Sequence, residues 1–144
     1  MFDKICILGC GLIGSSLLRA IHKKKLANKL SAFDKSKDVS LYLAKNFSFH
    51  IAKSIEEAVK DSDLVIISSP LSSYKEILLL IKSSLKKNVI LTDTGSAKKE
   101  INKIINNLNL SDVNWIASHP IAGTEFSGPE AGFAEFFEKV WFLL

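Results

Sequence analysis

Hydrophobic positions along this chain fall into two alternating rhythms. Continuous apolar runs of strand length occur at 4–8, 30–33, 49–52, 64–69, 89–92 and 115–118. Between them the apolar positions recur at helical spacing, as at Ile13, Leu17, Leu18 and Ile21. The spacing predicts helices from Leu12 onward, over 39–47, over 54–60, from Tyr74 to about Leu85, over 98–108 and, briefly, over 131–138. Ser54-Ile55-Glu56-Glu57 and Ser73-Tyr74-Lys75-Glu76 both spell a capping box at a helix start. A final apolar run, 140–144, reads as the start of another strand.

Unbroken apolar strands that alternate with helices imply a parallel sheet covered on both faces. The predicted fold is α/β, a Rossmann-type doubly wound, mostly parallel sheet forming one domain over 1–144. Right-handed crossovers place every strand's C-terminal end on one edge, where open α/β sheets bind ligands. Chemistry is therefore expected in the loops 9–14, 34–36, 69–73, 93–97 and 119–128.

Composition narrows the function classes. A hydrophobic fraction of 47% excludes a disordered chain. No apolar run approaches the roughly 20 residues of a spanning helix, and the first residues lack a signal-peptide pattern, so a cytoplasmic protein is expected. The net charge of +4 does not point to nucleic acid. Arg19 is the lone arginine, whereas base and phosphate readers favour Arg, and no aromatic residues interleave with the lysines. Lys23-Lys24-Lys25 fits a solvated helix end near the negative pole of the dipole. Cys6 and Cys10 lack nearby Cys or His partners and read as buried reduced thiols; no metal is expected.

Gly9-Cys10-Gly11-Leu12-Ile13-Gly14 is G-x-G-x-x-G between the first strand and a helix. Asp34 ends the second strand 20 residues after Gly14. That context is what the dinucleotide fingerprint demands, with Gly9 for the turn, Gly11 for close approach of a pyrophosphate and Gly14 for helix–strand packing; the alternative is a structural glycine-rich turn with Asp34 a strand-end cap. Asp34 can accept both adenosine-ribose hydroxyls and would repel a 2′-phosphate, so NAD is expected over NADP, with Lys35 the one residue that argues the other way.

Three further loops hold candidates. Ser68-Ser69-Pro70 closes the fourth strand, as a nicotinamide-facing edge or as a simple strand stop. Ser96 could cap the helix that follows. Lys98 and Lys99 oppose the dipole of that helix's first turn, and an anion nearby would relieve them. Of three histidines, His119 sits at a strand end on the ligand edge, as either a structural residue or a proton acceptor. Glu125 is a solvated loop charge or a second ionisable group beside the pocket.

G-x-G-L-I-G at 9–14, D-T-G-S-x-K at 93–98 and H-P-I-A-G-T-E-x-S-G at 119–128 together resemble the prephenate/arogenate dehydrogenase family of tyrosine biosynthesis. The resemblance implies NAD-dependent oxidation of a cyclohexadienol ring with loss of CO2, giving 4-hydroxyphenylpyruvate or tyrosine. It implies that His119 is the catalytic histidine and Ser96 its hydrogen-bonding companion in the substrate site. It puts Thr124 and Glu125 on the substrate-side loop, Glu125 as a gate, and Pro70, beside Ser69, against the nicotinamide. Leu12 and Ile13 complete the cofactor-binding turn. It also implies a C-terminal helical domain, absent from these residues, that dimerises and supplies an arginine for a substrate carboxylate. Residues 1–144 alone are then expected to bind NAD weakly, turn over little and self-associate through the apolar run 140–144. The alternatives are the NAD-binding domain of another hydroxyacid or imine dehydrogenase and a non-catalytic NAD-binding module.

Overall fold

The structure, a computed structural model, describes residues 1–138 and Val140, with the backbone alone of Phe142 and Leu143. Six strands, β1 (Phe2–Leu8), β2 (Ala27–Phe33), β3 (His50–Ile51), β4 (Leu64–Ile67), β5 (Val89–Asp93) and β6 (Val113–Ile116), form one sheet in the order β3-β2-β1-β4-β5-β6. Every pairing in it is parallel. The helices are α1 (Leu12–Lys24), α2 (Lys37–Asn46), α3 (Ile55–Val59), α4 (Tyr74–Ile81) and α5 (Lys98–Asn107). This is the Rossmann order, with its reversal between β1 and β4.

The two-residue period of β1 divides the core. Ile5 and Ile7 pack on one face with Leu18 and Ile21 of α1 and Leu43 of α2. Cys6 and Leu8 pack on the other with Val59 of α3, Leu78 and Ile81 of α4 and Ile101 of α5. Successive strand side chains point to opposite faces, so a strand covered on both must be apolar throughout, and Ile5–Leu8 is buried at every position. The one hydroxyl in the centre of β2, Ser31 Oγ, donates to the Ala58 carbonyl at 2.9 Å.

Several boundaries differ from the sequence expectation. β2 begins at Ala27, because Phe2 of the longer β1 pairs with it. Ser54 caps α3 as expected, accepting from Glu57 N–H. The second capping box does not form: Ser73 is itself helical, at the end of a 3₁₀ turn (Leu71–Ser73), and its side chain caps nothing. α4 stops at Ile81, short of Leu85. The helix expected over 131–138 is two 3₁₀ turns, Pro129–Ala131 and Ala134–Phe137.

β6 ends at Ile116, before His119. Ser118 N–H donates to the Asp93 carboxylate at 3.3 Å and Ser118 Oγ to the Asp93 carbonyl at 2.5 Å, which diverts the chain from the ladder. His119 and Pro120 then form β7, antiparallel to β8 (Phe142–Leu143). The strand expected over 140–144 is present at those two positions; Trp141 and Leu144 lie outside the described residues.

Candidate functional site

The turn after β1 is built for glycine at two places. Gly9 has φ +87°, and a Cβ there would stand 2.5 Å from Ser69 Oγ. A Cβ on Gly14 would stand 1.9 Å from the Gly9 carbonyl oxygen, so α1 can approach the turn only because that position is bare. Gly11, in contrast, faces open space. α1 starts there with no side-chain cap and no acidic residue in its first turn. Uncapped N–H groups and the positive end of the dipole suit an anion such as a pyrophosphate.

Asp34 reaches back across this turn. Its Oδ2 accepts Cys10 N–H at 2.7 Å and its Oδ1 accepts Ser36 N–H at 2.8 Å. The carboxylate thus tethers the glycine turn to the loop after β2 while lining the cavity beside both.

That cavity, about 750 Å³, lies along the C-terminal ends of the strands. Among the residues singled out from the sequence, Gly9, Gly11, Ile13, Asp34, Ser69, Pro70, Ser96 and His119 line it together. Leu12 and Gly14 do not: Leu12 opens α1, and Gly14 is buried in the packing of helix on turn. Thr124 and Glu125 are also outside the lining, exposed on the following loop, where Thr124 Oγ1 accepts Phe126 N–H at 3.2 Å. Ala122 is the part of that loop that reaches the cavity. Lys35 lines it beside Asp34.

Sequence reasoning missed the apolar part of the lining, formed by Phe33, Ile55, Tyr74, Ile77, Leu80 and Ile101. Sequence reasoning placed Tyr74 at the start of its helix but gave it no role; the signal was a tyrosine in the first turn after a ligand-edge loop. It missed Asp93 as well. This carboxylate is 0% exposed and is the anion that Lys98 requires: Lys98 Nζ stands 2.6 Å from each of its oxygens. Asp93 Oδ2 also accepts Gly95 N–H at 2.9 Å and Tyr74 O–H at 3.2 Å. Burial, then the neighbouring Asp93 charge, pushes the Tyr74 hydroxyl far up, so Tyr74 is a neutral donor. Ser96 caps nothing: the residue at the N-cap of α5 is Ala97.

The 3₁₀ turns beyond the loop fold back on α1. Arg19 Nη2 donates to the Pro129 carbonyl at 2.8 Å, and Ser16 Oγ accepts Phe133 N–H at 3.2 Å. The Arg19 guanidinium lies 4.6 Å from the centre of the Phe47 ring. Arg19 therefore anchors the segment after His119 to the helix that starts at the glycine turn.

The prephenate dehydrogenase, nucleotide-binding domain family matches residues 17–144. A cyclohexadienyl dehydrogenase of Zymomonas mobilis is 39% identical over 139 residues, which are 96% of this chain and 47% of that protein. A prephenate dehydrogenase of Lactococcus lactis is 32% identical over 143 residues, 98% of this chain and 40% of that protein. The crystal structure of an A. aeolicus prephenate dehydrogenase in complex with hydroxyphenyl propionate and NAD+ superposes with a TM-score of 0.78 at 23% identity, over 99% of this chain and 50% of that one. The chain thus spans less than half the length of the two sequence relatives. By the family match, the glycine turn, the parallel sheet and the cleft they share, this chain belongs to the prephenate dehydrogenase family, of which it is the nucleotide-binding domain.

Proposed function

We propose that this chain is the cofactor-binding and proton-accepting part of an NAD-dependent dehydrogenase that oxidises and decarboxylates prephenate or arogenate. The observation that carries the reading is the shared cleft. The glycine turn and Asp34 line the same cavity as Ser96 and His119.

The residues fit a dinucleotide. The uncapped start of α1 and the open space at Gly11 suit the pyrophosphate, and Asp34 suits the ribose hydroxyls. Asp34 favours NAD over NADP by repelling a 2′-phosphate; Lys35 beside it weakens that preference. Ser69 and Pro70 line the cavity after β4, beside the point where the strand order reverses, which supports the reading that they face the nicotinamide. Held by these residues, the dinucleotide would supply the hydride acceptor and leave the substrate proton to the protein.

That proton falls to His119. Loss of hydride from the hydroxyl-bearing carbon builds positive charge there. A neutral imidazole accepting the hydroxyl proton turns that charge into a carbonyl, and Ser96 holds the same hydroxyl in line. Loss of CO2 with aromatisation makes the step irreversible. On the same reading Thr124 and Glu125 act from the substrate-side loop, with Glu125 as its gate; that loop touches the cavity at Ala122. Lys35 is the one cationic side chain among the described residues lining the cavity. The resemblance to the family adds an arginine of a helical, dimerising domain as the group that fixes the substrate carboxylate. The reading is of a cytoplasmic biosynthetic enzyme with a small-molecule substrate.

The test is formation of NADH by the turnover-competent enzyme with prephenate or arogenate, beside calorimetric titration with NAD+ and NADP+. Reduction of NAD+ that requires a cyclohexadienyl substrate supports the reading. Cofactor binding with no turnover on either substrate rejects it in favour of a non-catalytic binding module.

A further inference from the structure

Beneath the cleft, one buried carboxylate holds the two segments that carry Ser96 and His119. Asp93 is 0% exposed at the end of β5. It collects donors from both loops and from the cavity wall. Gly95 N–H, adjacent to Ser96, reaches it at 2.9 Å. Ser118 N–H, adjacent to His119, reaches it at 3.3 Å, and Tyr74 O–H at 3.2 Å. Lys98 Nζ, 2.6 Å from both oxygens, neutralises it. The main chain repeats the join, because Ser118 Oγ donates to the Asp93 carbonyl at 2.5 Å.

A buried ion pair carries a desolvation penalty that its Coulomb attraction often does no more than offset. The pair is therefore weak evidence of a purely stabilising role. What it does better is fix geometry. Two hydrogen-bonded oxygens in one rigid carboxylate set the separation and tilt of two loops that no strand pairing joins beyond Thr92 and Ile116. A reaction in which Ser96 and His119 address the same hydroxyl depends on that separation, and a misplacement near 1 Å costs roughly 10²-fold in rate.

We propose that Asp93, neutralised by Lys98, is a positioning residue that sets Ser96 and His119 relative to each other and touches neither cofactor nor substrate. The proposal rests on the functional reading above for its rate effect, and on the hydrogen bonds alone for its structural effect. The two are tested separately. Asp93→Asn keeps the shape, removes the charge and puts an N–H2 where one acceptor stood.

In the turnover-competent enzyme we expect kcat for Asp93→Asn to fall by roughly 10²-fold. KM and the NAD+ dissociation constant should stay within about threefold, a split that general unfolding would not give. A kcat within twofold of the unmodified enzyme overturns the proposal. Amide hydrogen exchange of the protein without substrate gives the second arm. Exchange at Gly95 and Ser118 should rise at least tenfold while the turn 9–14 keeps its protection; equal exchange at Gly95 and Ser118 overturns the proposal. This arm decides Asp93 even where the unmodified enzyme shows no cyclohexadienyl turnover, a result that rejects the functional reading alone. Should Asp93→Asn fail to fold, Lys98→Met, outside the cavity lining, removes the cation and both of its bonds to the carboxylate. It is expected to lower kcat severalfold with unchanged NAD+ affinity, and an unchanged kcat overturns the proposal.

Discussion

Asp34 Oδ2 accepts the Cys10 amide proton at 2.7 Å, so the residue expected to recognise ribose also holds the glycine turn in shape. One carboxylate thereby fixes two parts of a dinucleotide site. Its other oxygen, on Ser36 N–H, ties in the loop after β2.

Asp34→Ala should therefore do more than relax cofactor choice. Losing a charged acceptor costs roughly 1.5–3 kcal/mol, so NAD+ affinity should fall about 10- to 100-fold. NADP+ affinity should fall less, because the repulsion of its 2′-phosphate goes too. Calorimetric titration with both dinucleotides checks this; equal affinity of the unmodified protein for the two would reject Asp34 as the discriminator.

Gly14→Ala tests the close approach of α1 to the turn. The added Cβ would stand 1.9 Å from the Gly9 oxygen, a backbone atom that cannot swing aside. Overpacking costs on the order of 1–3 kcal/mol, and the displaced helix start should also weaken dinucleotide binding. We expect a melting temperature lower by roughly 5–10 °C, measured by calorimetry or fluorescence. Gly11→Ala, which meets no atom within 4 Å, should melt like the unmodified protein.

The buried thiols give the protein an alkaline weakness. Burial pushes Cys6 from 9.0 up to about 12, and burial with the nearby Asp34 charge pushes Cys10 up as well. The folded state keeps these protons at pH values where the unfolded chain releases them. Stability conferred by the protonated thiols is thus complete below about pH 9 and is lost as pH rises toward 12. The expected slope is about 1.4 kcal/mol per pH unit for each thiol. Urea midpoints between pH 8 and 11 measure it, and Cys6→Ala should reduce the slope by one thiol's share. At pH 8 neither cysteine should react with a thiol reagent until urea unfolds the chain.

The parts of this fold legible in the sequence were those set by local periodicity. Ile5–Leu8 and Leu64–Ile67 read as strands because both faces are covered, and Leu18 and Ile21 mark α1 by their spacing. The dinucleotide turn was legible because glycine is required there by φ and by contact. What local reading could not supply was set by long-range partners. Ser73 does not cap α4 because a 3₁₀ turn already runs into the helix. His119 leaves the sixth strand because Ser118 bonds to Asp93, 25 residues earlier. Lys98 signalled a hidden anion, yet Asp93 could be matched to it only once β5 and α5 were folded. Arg19 belongs to a strap on α1, where it holds the Pro129 carbonyl, a pairing no spacing rule foresees.

The central claim is that His119 takes the substrate proton in a cleft that also holds the cofactor. The direct measurement is kcat of His119→Asn against the unmodified turnover-competent enzyme, with NAD+ affinity determined on both. A positioned base contributes roughly 10²–10⁴-fold. The account predicts a fall of that size with NAD+ affinity within about twofold. Near-normal turnover by His119→Asn would contradict it.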